Sequence, residues 1–137
     1  MSLAGETHRH GPHIDVQFDR TDRCYEPGDR LQVRYDVGGL GGDVLRAVEH
    51  SVLWYTEGKG EEDLWVHFFE RAAKPAIAGG FGTTLPRGPL SYEGVIVKIR
   101  WCARVRIFFQ GGRDFVSEHV FDVGRVPPAR VPQAAKP

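Results

Sequence analysis

One stretch, Val95 to Gln110, limits what this chain can fold into: it reads VIVKIRWCARVRIFFQ. Every second residue of it is apolar, namely Val95, Val97, Ile99, Trp101, Ala103, Val105, Ile107 and Phe109. Between them stand the cations Lys98, Arg100, Arg104 and Arg106. An apolar period of two belongs to a β-strand with one buried face; a helix would scatter the same side chains around its circumference. Burying each of the larger side chains stabilises by roughly 1.5–3 kcal/mol, while ordering each residue costs about 1–2 kcal/mol of backbone entropy. Such a strand does not stand alone. It needs paired neighbours and a second layer over its apolar row, which implies a sandwich or a barrel. At about 3.3 Å per residue it would run roughly 50 Å if straight, longer than the usual strand. A bend or bulge is therefore expected near its middle, around Cys102.

The rest of the chain supplies neighbours. His13 to Arg20 alternates Ile14, Val16 and Phe18 with polar residues, a first strand. Pro27-Gly28 suits the two central positions of a type II turn, because proline presets the first φ and glycine accepts a positive second one. Arg30 to Val37 resumes the alternation with Leu31, Val33, Tyr35 and Val37. Val44 to Tyr55 reads as a third strand, with Val48, Val52 and Trp54 on one face; Asp43 as the cap of a short helix is the less favoured reading. A polar, glycine-rich connection over Thr56 to Asp63 leads into Leu64 to Arg71, LWVHFFER. In strict alternation, Leu64, Val66 and Phe68 share one face of that strand and Trp65 and Phe69 the other. Ala72 to Gly80 is read as loop and Phe81 to Leu85 as a short strand. After Gly111-Gly112, Phe115 to Val123 returns along the long strand. A two-residue turn there sets Arg106 opposite Ser117 and buries Val116 and Val120. A three-residue turn sets Arg106 opposite Glu118 and buries Phe115 and Phe121. The second is favoured, since it buries the larger groups and matches charges.

About seven strands with little helix make an all-β sandwich. The 137 residues suffice for one domain with its own core. The expected divisions are an arm over 1–12, the sandwich over 13–124 and a proline-rich tail over 125–137. Lys plus Arg and Asp plus Glu both number 18, so no net charge draws the chain toward nucleic acid or an anionic membrane. No run approaches the length of a membrane span and the first residues hold no apolar leader, so a cytoplasmic address is the default expectation. There Cys24 and Cys102 are expected as free thiols.

The spacing of short motifs adds a family. Tyr25-x-Pro27-Gly28-Asp29 precedes a strand, Val52-x-Trp54 precedes a polar tip, and Leu85-Pro86 to Pro89-x-Ser91-Tyr92-x-Gly94 runs into the long strand. In order and approximate spacing, over most of residues 13–123, this resembles one arrestin-type domain. The resemblance implies an immunoglobulin-like β-sandwich acting as an adaptor or scaffold, without a catalytic centre. Arrestins normally carry two such domains, and this chain has room for one.

For chemistry, the sequence offers no nucleophile elbow, zinc-spaced Cys/His set or phosphate loop. His8, His10 and His13 near the N-terminus read as incidental, and His50, His67 and His119 as packed strand residues rather than metal ligands. No cofactor, metal or catalytic residue is therefore expected, and the chain is read as a non-enzyme. Two surfaces remain as candidates for a protein partner. The row Lys98, Arg100, Arg104 and Arg106 suits an acidic or phosphorylated partner, with a face neutralised by acids such as Glu118 as its plain alternative. The apolar surplus Leu53, Tyr55, Trp65 and Phe69 suits a partner interface or self-association. Stacking of exposed tryptophan and tyrosine on a sugar or other small ligand is the alternative function.

Overall fold

The computed structural model describes residues 11–60 and 62–124. The expected tail, nearly all of the expected arm, and His8 and His10 lie outside the described residues. Among these, nine strands form two sheets: β1 His13–Phe18, β2 Cys24–Tyr25, β3 Arg30–Gly38, β4 Leu45–Gly58, β5 Leu64–Arg71, β6 Ala78–Thr84, β7 Tyr92–Glu93, β8 Val97–Phe109 and β9 Asp114–Val123. The small sheet has the order β1-β3-β6; the large one runs β2-β9-β8-β4-β5, with β7 paired to β8. The two-residue strands β2 and β7 account for the excess over the expected seven. Too short to show alternation, they are legible only from their hydrogen bonds.

β8 holds the place its pattern demands. It pairs with β4 on one side and β9 on the other, both antiparallel. Trp101, Ala103, Val105, Ile107 and Phe109 are buried in the core between the sheets. Facing them are Ile14, Leu31, Val33, Tyr35, Val37 and Phe81 from the small sheet. The strand departs from expectation at two points. It begins at Val97, and Val95 and Ile96 are 92% and 68% exposed. Its ladders run unbroken through Cys102; the irregularities fall in its neighbours, near Leu45/Ala47 of β4 and opposite Val52/Leu53 in β5. Twist relief placed there leaves the central strand regular.

The last hairpin resolves its register. Arg104 faces Glu118, and Arg106 faces Val116 rather than Glu118. The turn has three residues, 110–112, one position earlier than the expected three-residue form, and is closed by the Phe109 N–H on the Arg113 carbonyl (2.9 Å). The face is nevertheless the expected one. Phe121 sits inside among Phe18, Tyr25 and Trp101, with ring centroids 5.6, 5.7 and 6.1 Å away. Val116 and Val120 point outward.

The motif residues act as staples. Gly28 takes φ +88°, as the expected turn requires. The Asp29 carboxylate accepts the Glu26 N–H (2.8 Å) and pairs with Arg20 (2.9 Å). Those contacts, the Glu26 hydrogen bond first, hold its pKa below the usual carboxylate range. The Tyr25 hydroxyl donates to Asp19. The Ser91 hydroxyl accepts the Val123 N–H (2.8 Å), and the Trp101 indole N–H donates to the Pro89 carbonyl (2.8 Å). No helix caps the Asp43 turn; β4 starts at Leu45.

Phe121→Ala should destabilise the domain by about 3–5 kcal/mol in urea unfolding. Val116→Ala should stay within about 0.5 kcal/mol. Equal costs for the two would contradict the assigned face of β9.

Candidate partner-binding surface

Among the described residues, β5 closes the large sheet on one side and pairs with β4 alone. Its register slips between Val52↔Phe68 and Leu53↔Val66, so His67 is the extra residue of a bulge. The slip overturns the strict alternation expected for this strand. Trp65 stands opposite Trp54, in register with the inward face, and Phe68 stacks 6.2 Å from core Phe81. Leu64, Val66 and Phe69 lie opposite Tyr55, Leu53 and Ser51 on the outer face. Four large apolar side chains of this edge strand remain in water: Trp65 at 65%, Phe69 at 59%, Leu64 at 53% and Val66 at 44% exposed. An open edge with apolar groups on both faces is a template for pairing with another chain.

The other expected partner residues fare differently. Leu53 is fully buried, although it faces the outer side of the sheet. It lies in a row Val66–Leu53–Cys102–Val120 whose two middle members are fully buried; Leu53 cannot touch a partner. Tyr55 is half-buried beside Leu64 and Arg100. Cys102 is free and buried, and desolvation pushes its thiol up to about 12, which leaves it protonated and unreactive. Cys24 is free and exposed.

Each cation of the β8 row ends on a carboxylate. Lys98 pairs with Glu93 (3.1 Å), Arg100 with Glu57 (2.5 Å), Arg104 with Glu118 and Arg106 with Asp114 (2.7 Å). The face is thus the neutralised one, and its charges carry no standing pull on an acidic partner. At the hairpin tip the balance turns negative. A hollow of about 430 Å³ is lined by Tyr55, Thr56, Glu57, Glu62, Asp63, Leu64, Arg104 and Glu118. At the other end, Phe108 carries three guanidinium groups, Arg106 at 5.2 Å and Arg46 and Arg71 at 5.5 Å from its ring centre. Sequence spacing missed this cluster because Arg46 sits on the β4 irregularity.

Behind the β5 edge lies a smaller cleft of about 230 Å³ lined by Trp54, Trp65, His67, Pro86, Gly88, Pro89 and Trp101. His67 Nε2 lies 2.9 Å from the Thr84 carbonyl oxygen, an acceptor that places the ring proton on Nε2. The three strand histidines do not converge. His50 stacks on Phe81 at 4.6 Å, and His119 Nε2 lies 2.6 Å from the Ser117 hydroxyl. No carboxylate hydrogen-bonds the other ring nitrogen of His119 among the described residues. Nor do these residues hold a group of three His, Cys, Asp or Glu able to bind a metal ion. No helix long and apolar enough to cross a membrane occurs among them.

His50 Nδ1 is buried without a hydrogen-bond partner, 3.4 Å from the Glu70 carboxylate. Burial lowers its pKa below 6.5 and Glu70 opposes only part of that. Burial likewise lowers His119, helped by Arg23.

No protein-family model matches the chain, and no curated protein matches it. Among solved structures it is similar to Spo0M, a sporulation control protein from Bacillus subtilis. The TM-score is 0.60 at 18% identity, over 82% of this chain and 49% of Spo0M. The chain therefore spans about half the length of that protein. The likeness carries the fold: the molecule is an all-β sandwich of the arrestin type.

Because both histidines bind protons more readily unfolded than folded, stability should fall as pH drops below about 6.5. Urea unfolding at about pH 7.5 and about pH 5.5 measures this. His50→Phe, which keeps the ring stack, should reduce the difference to the part that His119 contributes. Stability unchanged or higher at the lower pH would contradict the buried neutral histidines.

Proposed function

We propose that this domain is a non-catalytic adaptor that binds another protein through the β5 edge. The observation that carries the reading is the edge strand itself, with backbone that no described strand pairs on one side and Leu64, Trp65, Val66 and Phe69 in water. β-augmentation supplies main-chain hydrogen bonds for affinity and side-chain contacts for specificity. The exposed aromatics are the residue types that anchor interfaces. The paired cations of β8 form a polar rim beside them, where ion pairs contribute about 0–1 kcal/mol each. The arrestin-type fold supports a scaffold role by likeness alone. A second copy of the chain is one partner the edge would accept, and a cytoplasmic setting agrees with free Cys24 and Cys102.

The test is affinity capture from native extract with three baits. Val66→Glu with Phe69→Glu should cut partner retention by about tenfold or more and leave the unfolding midpoint near its original value. Arg104→Glu with Arg106→Glu should retain the partner. Capture lost only in the arginine variant would replace the edge with the basic face.

A further inference from the structure

The cleft behind β5 has a chemistry of its own. Trp54 and Trp65 stand directly opposite each other across β4 and β5, with buried Trp101 and His67 behind them. The facing wall is Pro86, Gly88 and Pro89. Among the described residues the lining contains no carboxylate, lysine or arginine. Its one titratable ring, His67, has a nitrogen held by the Thr84 carbonyl, and the Trp101 N–H is taken by Pro89. Among the described residues the indole N–H groups of Trp54 and Trp65 have no acceptor. The side chains therefore offer aromatic faces and uncommitted donors, but no negative charge.

That inventory selects among occupants. An ammonium ligand needs ring faces but gains most beside a carboxylate, and none lines the cleft. A sugar presents hydroxyls that both donate and accept, and the lining side chains supply no free acceptor. A prolyl segment fits: each proline contributes a carbonyl acceptor and no N–H donor, and its flat apolar ring packs on indole. Charge complementarity agrees, an uncharged segment against an uncharged lining. The volume, about 230 Å³, is below that of a drug-sized site and suits a short stretch of chain rather than a whole ligand.

We propose that the Trp54/Trp65 cleft binds a proline-rich segment of a partner protein in the extended polyproline conformation. The indole N–H groups donate to its carbonyls, and Pro86 and Pro89 close the opposite side. The site shares Trp65 with the β5 edge but does not depend on backbone pairing there, because Trp54 and the Pro86–Pro89 wall belong to other elements.

The experiment follows the indole N–H resonances of the whole chain by NMR while a capped oligoproline peptide is added. Chito-oligosaccharide and tetramethylammonium serve as parallel probes. The expected result is saturable movement of the Trp54 and Trp65 signals with oligoproline alone. Trp65→Ala, an exposed position whose loss leaves the core intact, should weaken binding about tenfold as read at Trp54. Movement with the saccharide or the ammonium ion and none with oligoproline overturns the proposal, as does no movement with any probe. Oligoproline binding of equal strength in Trp65→Ala also overturns it. Any of these results leaves the Phe69-dependent capture untouched, so the two readings fail separately.

Discussion

The dry flank of β8 is the constraint from which the rest of the molecule follows. Trp101, Ala103, Val105, Ile107 and Phe109 leave water only if a second layer covers them, and β1, β3 and β6 are that layer. Pairing on both edges follows from the same need, since a central strand with open backbone groups would lose its hydrogen bonds to burial. With β4 and β9 on its two sides, the remaining strand of the long hairpin, β5, has nowhere to go but the margin. The candidate surface is thus a by-product of covering β8. Trp65 stays in water although it shares the inward register, while Phe68 of the same strand stacks on Phe81 of the small sheet.

The motifs behind the arrestin-type resemblance serve this architecture and not a partner. Tyr25 is buried against Phe121 with its hydroxyl on Asp19; Ser91 and Pro89 tie the connection before β8 to Val123 and Trp101. Residues in such structural roles identify a sandwich while saying little about what it holds. The match to Spo0M at 18% identity has the same content.

Alternation made β3, β8 and the inner face of β4 legible, because each of these strands keeps its period against one continuous core. The misreadings have specific causes. A single extra residue at His67 moved Trp65 to the face of Phe68, and a bulge carries no local sequence mark. Leu53 and Cys102 proved fully buried on the outer side, an effect of three-dimensional crowding that period-two counting cannot register. The cations of β8 were visible as a row, but their carboxylates arrive from the β4 end, β7 and β9, and only the register decides which acid meets which base. The cleft was invisible for the same reason: its tryptophans come from three strands and its prolines from a loop.

Amide hydrogen exchange across the whole chain tests the central claim most directly. A strand paired on both sides and dry on one face opens only with the entire domain, whereas a marginal strand opens locally. The account predicts that amides from Trp101 to Ile107 exchange slowest, at the rate set by global unfolding, and that outward-pointing amides of Leu64 to Arg71 exchange far sooner. Equal protection of the two strands, or faster exchange in β8 than in β5, would contradict it.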